Sequence, residues 1–203
     1  MTTTSTKERP IIFSGESVRS ILEGRKTQTR RVIKWKAREK GLNLGFSALE
    51  AGAYANDDPR TGWVLRSRDG RGTWNDRTYP LKCRYGLAGD RLWVRETWAD
   101  CGGYYRYPAT DDVNSLRVLR SPREMRRIAS RISLDVVAVR VERLQKITAA
   151  DVFAEGVGAF EQSHLDVARE MFARGWNALN EKRGFGWEKN PWVWVVEFRR
   201  IER

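Results

Sequence analysis

The sequence predicts an α+β protein in which several strands form a small curled sheet or β-barrel, with short helices at its ends. The clearest strand signals are residues 130–144 and 192–198, which are rich in β-branched and aromatic residues. The apolar alternation of the first run slips once, between Val136 and Val139. A doubly wound parallel fold requires strands and helices that alternate regularly, and the sequence lacks that alternation. Neither a Gly-x-Gly-x-x-Gly fingerprint nor a P-loop is present, so no cofactor is expected.

A single domain is predicted over residues 10–203, preceded by a polar tail at residues 1–9 that is expected to be disordered. Two irregular stretches, at about residues 35–85 and 99–127, are interpreted as insertions in this domain. Glycines and Asp-Pro or Asp-Gly pairs punctuate the first stretch, and short apolar pieces such as residues 62–65 indicate hairpins.

Three helices are predicted from apolar spacing and end signals. The first follows a short strand, begins at Ser14 or Ser17 and ends at Gly24. The second has a capping box at residues 148–151 and ends at Gly156. The third begins after Ser163, and its apolar stripe consists of Leu165, Ala168, Phe172, Trp176 and Leu179.

The charge of the chain indicates a polyanionic partner. The sequence has 38 Lys and Arg against 26 Asp and Glu, a formal net charge of +12. Such a balance favours polyanions through counterion release, without saying which polyanion is bound. The alternative is a solvated surface that is merely basic. Because the arginines are clustered, contact with nucleic acid or a nucleotide is predicted.

A cytoplasmic protein that is not associated with a membrane is expected. No run approaches the roughly 18 apolar residues of a membrane span, and the first ten residues lack the apolar core of a signal peptide. Cys83 and Cys101 are the two cysteines, and their spacing fits no zinc motif. Reduced thiols are expected for both.

Several common catalytic chemistries are disfavoured by composition. The single histidine, His164, lies at the start of a predicted helix, where a surface role is expected, and no Gly-x-Ser-x-Gly elbow supports a serine triad. Metal chemistry would depend on carboxylates, whose only dense pairs are at residues 57–58 and 111–112 in loop-like stretches. A metal site and a metal-dependent nuclease are therefore not expected.

Lys26 and Thr29 lie three positions apart, directly after the stop signal of the first helix. A threonine hydroxyl becomes a nucleophile when a neighbouring base takes its proton, and a desolvated lysine can be that base. The same residues beside Arg30 and Arg31 also fit a phosphate-binding or solvated edge. Spacing alone leaves both interpretations open.

Four segments in this order resemble the motifs of the ASCH family, a branch of the PUA-like β-barrel superfamily. They are residues 24–31, 89–94, 154–157 and 194–198. The segments at 93–98 and 190–194 are similar to a branch that is common in phages and prophages. The resemblance implies a PUA-like small curled β-barrel with flanking short helices and the two insertions.

The resemblance also implies three possible functions. One ASCH branch is an amidohydrolase that removes acyl groups from the exocyclic nitrogen of cytidine, and its proposed catalytic residues correspond to Lys26, Thr29 and Glu155. In that assignment Thr29 attacks, Lys26 accepts and returns the proton, and Glu155 orients the lysine. A carboxylate beside Lys26 favours the charged lysine, whereas a base must be neutral, so a pocket that only reads a modified base or RNA is the second function. A metal-independent ribonuclease is the third.

The expected partners are RNA, another single-stranded nucleic acid or a modified nucleoside. The chain is longer than the small amidohydrolases, and the additional sequence is basic and aromatic, as in proteins that grip a strand. Local packing within the insertions is the alternative role for the aromatic residues. The candidate ligands of phosphate or nucleic acid are Arg25, Arg30, Arg31, Arg66, Arg68, Arg71, Arg95, Arg123, Arg126 and Arg127. The candidates for base stacking are Tyr104, Tyr105 and Trp98.

Overall fold

The computed structural model describes residues 6–112, 118–157 and 165–202. The strands in these ranges are β1 (Glu8–Ile12), β2 (Gln28–Val32), β3 (Glu50–Ala53), β4 (Trp63–Arg68), β5 (Trp74–Asp76), β6 (Arg91–Arg95), β7 (Ala99–Asp100), β8 (Tyr105–Arg106), β9 (Ser133–Arg143) and β10 (Trp192–Arg200). The α-helices are α1 (Gly15–Leu22), α2 (Ala149–Ala154) and α3 (Leu165–Asn180). Short 3-10 turns lie at Pro59–Thr61, Pro122–Glu124, Arg127–Ala129, Leu144–Lys146, Glu181–Arg183 and Trp187–Lys189.

The main sheet has the order β1-β6-β9-β10-β2, and only its β1–β6 pair is parallel. The fold is therefore α+β, but within the described ranges the sheet stays open instead of closing into the predicted barrel. Its two edge strands, β1 and β2, are joined by α1. Val18 and Ile21 of that helix are buried in the same core as the strands. The helix thus packs on the core of the open sheet.

Strands β9 and β10 form the longest pair, and β10 is paired on both sides. Both faces of β10 are covered, which explains its nearly continuous apolar run. Trp194 and Val196 pack in the core that includes α1, whereas Val193 and Val195 pack against α2 and α3. The pairing shifts opposite Val137, which agrees with the slip predicted between Val136 and Val139.

The first insertion contains an antiparallel sheet, β3-β4-β5. Leu49, Leu65 and Cys83 of this stretch are buried in the core of the main sheet. The second insertion contains the β7–β8 hairpin, whose neighbourhood forms a separate aromatic cluster with Trp93 of β6. Both insertions are therefore packed against the main sheet.

The helix ends follow the predicted signals. The Ser14 hydroxyl accepts a hydrogen bond from the N–H of Ser17 and caps α1. Thr148 and Asp151 form a complete capping box at the start of α2. Gly24 and Gly156, after α1 and α2, have φ angles of +75° and +80°. Ser163 and His164, and hence the predicted start of the third helix, lie outside the described residues.

Two expectations about the chain are corrected. Strand β1 begins at Glu8, which pairs with Arg91, so residues 8 and 9 do not belong to a disordered tail. Leu179 is 74% exposed, although Ala168, Phe172 and Trp176 of the predicted stripe are buried. The stripe extends one residue too far because α3 is covered on one side only. No helix in the described ranges is long and apolar enough to cross a membrane.

Candidate active site

A cleft of about 1230 Å³ opens where the sheet does not close, beside the edge strand β2. Its lining comes from the end of β1, from α1, from the residues after α2 and from one face of α3. Lys26, Thr29 and Glu155, the three residues that the resemblance assigns to catalysis, all line it. The charged residues of the described lining are Glu16, Lys26, Arg30, Arg31, Lys34, Lys82, Arg84, Glu155 and Arg183.

Lys26 is held by the turn that follows α1. Its backbone N–H donates to the carbonyl of Ser20, so the side chain is directed towards the end of α2. There the Nζ atom donates to the backbone oxygen of Glu155 at 2.6 Å and to its Oε2 atom at 2.9 Å. The side chains of Lys26 and Glu155 are 5% and 6% exposed. The two residues therefore form a buried, hydrogen-bonded ion pair.

Gly156 allows this close approach. Its φ of +80° is a left-handed conformation that residues with a side chain rarely adopt. A Cβ atom at this position would lie 2.9 Å from the Cβ atoms of both Lys26 and Ser20. The glycine in the Ala154–Val157 motif thus ends α2 and brings Glu155 against Lys26.

Arg30 anchors Glu155 from the other side. Its side chain is completely buried and forms ion pairs with Glu142 at 2.5 Å, Asp151 at 3.1 Å and Glu155 at 3.3 Å. Arg140 pairs with Glu142 and Asp151 and extends this buried ion cluster. Three carboxylates thus surround the guanidinium of Arg30, for which phosphate binding was predicted.

Asp151 is a carboxylate of the buried ion cluster whose pKa is clearly lowered. Burial alone would raise its pKa, but hydrogen bonds from the Thr148 N–H and hydroxyl and from Gln28, with the charge of Arg30, lower the pKa to about 2. The same contacts attach α2 to the edge strand, since Gln28 and Arg30 belong to β2.

Thr29 lies in β2 opposite Val196. It is 4% exposed and lines the cleft. Within the described ranges its hydroxyl makes no hydrogen bond, so the hydroxyl is available to a ligand or to a proton acceptor. Alternation along the strand puts Thr29 and Arg31 on one face and Arg30 on the other.

Arg31 bridges the two edge strands. Its Nη2 atom donates to the carbonyl of Ile12 at 2.7 Å, and its guanidinium lies 5.1 Å from the ring centre of Phe13 and 5.9 Å from that of Tyr85. Burial lowers the pKa of Arg31 below its ordinary value. The guanidinium of Arg31, which is predicted to bind phosphate, thus links β2 to β1 beside the cleft.

The other predicted arginines lie outside the cleft lining. Arg25 pairs with Glu23 at the surface. Arg66 and Arg68 flank the ring of Trp74, and Arg71 is exposed nearby. Arg95, the last residue of β6, stacks on Trp93. In the second insertion Arg127 pairs with Glu8, and Arg123 and Arg126 are exposed.

The predicted stacking residues are not equivalent. Tyr104 is 57% exposed. Trp98 is 5% exposed and packs edge-on against Tyr105, with ring centres 5.4 Å apart, so its ring is not open to a base. Trp98 is buried because Tyr107 and Met125 cover it in the aromatic cluster of the second insertion.

Sequence reasoning did not select four cations of the cleft, namely Lys34, Lys82, Arg84 and Arg183. Their only signal in the sequence is the general excess of basic residues. The described ranges contain no group of three or more His, Cys, Asp or Glu side chains that could hold a metal ion. Cys83 and Cys101 are free, as expected.

Comparison of the chain with protein-family models, with curated proteins and with solved structures finds no match. The ASCH resemblance therefore depends on the four sequence motifs.

Proposed function

We propose that the protein is an ASCH-type hydrolase of the PUA-like group that acts on a nucleobase-containing molecule bound in the cleft. Its reaction is removal of an acyl group from the exocyclic nitrogen of the base. Thr29 is the nucleophile, Lys26 the general base, and Glu155 positions the lysine.

The observation that carries the proposal is the Lys26–Glu155 contact. These residues belong to two different motifs and are 129 positions apart, yet they bond directly beside the same cleft that Thr29 lines. A base that is oriented by a third group, next to a hydroxyl nucleophile, is the usual arrangement for acyl transfer.

The steps balance with these residues. The Thr29 hydroxyl attacks the amide carbonyl while neutral Lys26 accepts its proton. The carbon–nitrogen bond breaks, Lys26 returns the proton to the departing nitrogen, and the acyl group remains on Thr29 as an ester. Water then attacks the ester while Lys26 again accepts a proton. The bond between the acyl carbon and the Thr29 oxygen breaks, Lys26 returns the proton to that oxygen, and the carboxylic acid is released.

Arg30 favours this reaction electrostatically. Glu155 faces both Lys26 and Arg30, so part of its negative charge is balanced by a guanidinium that never loses its proton. The carboxylate therefore stabilises the lysine ammonium less than it would in an isolated pair. This sharing reduces the conflict between orienting Lys26 and letting it become neutral.

A non-catalytic reader of a modified base or RNA is the second candidate. The observation that favours it is the same ion pair, because a lysine that stays charged beside Glu155 binds anions and does not act as a base.

Mass spectrometry of acylated nucleosides, including N4-acylated cytidines, and of short single strands separates the two functions when a chelator is present. Thr29→Ala is expected to lower turnover at least about 10³-fold, and Thr29→Ser to keep part of it. Thr97→Ala is the matched control, since Thr97 also lines the cleft. Full turnover by Thr29→Ala would refute the nucleophile. Binding without turnover by the wild type would favour the reader.

A further inference from the structure

We infer that the cleft takes a phosphorylated ligand, a nucleotide or the phosphate of a nucleic-acid strand, and that exposed cations at its rim bind the phosphate. This inference rests on the proposed function, which assigns a nucleobase to the cleft, and it adds a phosphate group to the ligand. The rim cations are Lys34, Lys82, Arg84 and Arg183.

Lys82 and Arg84 form the best-defined part of the rim. Both are exposed, whereas Cys83 between them is 6% exposed and belongs to the core. Lys82 and Arg84 both line the cleft on either side of this buried cysteine, and the Arg84 guanidinium lies 5.6 Å from the ring centre of Tyr85. Two cations fixed two positions apart can contact a single phosphate.

The rim cations have no carboxylate partner in the part of the chain that the structure describes. Within the described ranges no carboxylate lies at ion-pair distance from any of the four. Lys26 and Arg30, deeper in the cleft, are in contrast paired with carboxylates. Of the two acidic residues in the described lining, Glu155 is paired and Glu16 is exposed. The rim therefore has a net positive charge that attracts an anion.

The part of the lining that α3 contributes fits the remainder of a nucleotide. Met171 and Leu179 of α3 are 41% and 74% exposed, and they line the cleft together with Gly175 and Ala178. This small-residue face with apolar side chains at both ends offers contact area to a base or an acyl group. An apolar surface in the same cleft as cations without a described carboxylate partner matches a ligand with one planar or apolar part and one anionic part.

This assignment differs from the one that the sequence suggests. Arg30 is enclosed by carboxylates, and Arg31 is bonded to Ile12. The arginine pair in the motif thus builds the site. The segment at residues 81–85, at the end of the first insertion, contributes the cations that remain open to a ligand.

The test measures equilibrium binding in a Thr29→Ala background, so that no probe is hydrolysed. The probes are the four ribonucleosides, their 5′-monophosphates, and a ten-nucleotide single strand of mixed sequence. The preferred monophosphate is expected to bind at least about tenfold more tightly than its nucleoside, since a hydrogen bond to a charged group is worth about one decade in affinity or more.

Lys82→Glu/Arg84→Glu is expected to abolish that preference, and Lys82→Gln/Arg84→Gln to reduce it. Lys40→Glu/Lys146→Glu is the matched control, because it changes the net charge equally at exposed lysines outside the cleft lining. Equal affinity for nucleoside and monophosphate, or a preference that survives in the Lys82→Glu/Arg84→Glu variant, would overturn the inference.

The strand identifies the source of the phosphate. Tighter binding of the strand that depends on the rim supports a polymer, and equal or tighter binding of the monophosphate supports a free nucleotide. The inference and the proposed reaction can fail separately. Binding that depends on the rim cations, without any acyl hydrolysis, would support the inference and refute the proposed reaction. Hydrolysis of acylated nucleosides and monophosphates at equal rates and with equal affinity would support the proposed reaction and refute the inference.

Discussion

Replacing Asp151 by asparagine removes one charge from the buried ion cluster while nearly preserving the shape of the side chain. The Asp151 carboxylate lies 3.1 Å from Arg30 and 2.9 Å from Arg140, and its side chain is 14% exposed. Its pKa is lowered from 3.8 to about 2 although burial alone would raise it, because the contacts with Thr148, Gln28 and Arg30 outweigh burial. Each pKa unit corresponds to about 1.4 kcal/mol, so the carboxylate stabilises the folded protein by about 2 kcal/mol near neutral pH.

The pH dependence of this contribution has a definite sign. Since the pKa of Asp151 is lower in the folded than in the unfolded protein, the contribution is fully present above its ordinary pKa of 3.8. It is lost as the pH falls from about 3.8 through about 2, and below that the carboxyl is protonated in both states. The difference in the free energy of unfolding between wild type and Asp151→Asn must therefore disappear over this acidic range.

Urea unfolding of both proteins, at steps from about pH 7 to about pH 2, measures that difference directly. Asp135→Asn is the matched control, because Asp135 also contacts two arginines, Arg91 and Arg199, but is 34% exposed. Its substitution is expected to cost no more than about 1 kcal/mol. A deficit of Asp151→Asn that stays the same at all pH values would refute the electrostatic origin of the stabilisation.

Three further predictions concern the surroundings of the site. Gly156→Ala is expected to lower the free energy of unfolding by at least about 1 kcal/mol. It is also expected to displace Lys26 and so to reduce turnover in the nucleoside assay. Unchanged stability would contradict this prediction. Burial raises the pKa of Cys83 to about 11, so iodoacetamide at about pH 8 should label Cys101 in the folded protein and Cys83 only in urea. Leu179→Ser is expected to change stability by no more than about 0.5 kcal/mol, because the side chain is mostly exposed; a loss of several kcal/mol in thermal or urea unfolding would restore Leu179 to the core.

The long strands could be predicted because their signals are local. β10 is apolar on both faces, and both faces are in fact covered. The slip between Val136 and Val139 was visible as a break in the alternation of β9, and the structure has its register shift there. The end of α2 at Gly156 was also local, since a left-handed conformation favours glycine.

The errors concern residues whose environment depends on distant segments. The periodicity of α3 does not reveal which side is covered, so Leu179 was assigned to the core although it faces the cleft. Trp98 was assigned to base stacking because it lies next to an irregular insertion, but that insertion forms its own aromatic cluster. Arg30 was assigned to phosphate because no local pattern shows that Glu142 and Asp151 meet it.

The closed barrel was wrong for a related reason. Strand content can be read from the sequence, but closure depends on whether the two edge strands can reach each other. Here α1 joins β1 to β2 and is packed into the core between them. The Arg31–Ile12 hydrogen bond is a side-chain link where a closed barrel would have backbone pairing.

The unclosed edge also explains why the site is built around charges. Within the described residues strand β2 pairs with β10 alone, so α2 is held beside it without a backbone ladder. Buried ion pairs and one backbone hydrogen bond, from the Thr27 N–H to the Ala154 carbonyl, make the attachment. Arg30 makes that attachment and also fixes the carboxylate that orients Lys26. Substitutions in the buried ion cluster will therefore change stability and chemistry together and cannot separate the two. Thr29 makes no hydrogen bond through its hydroxyl within the described residues, so its conversion to alanine or serine tests the chemistry with little effect on the fold.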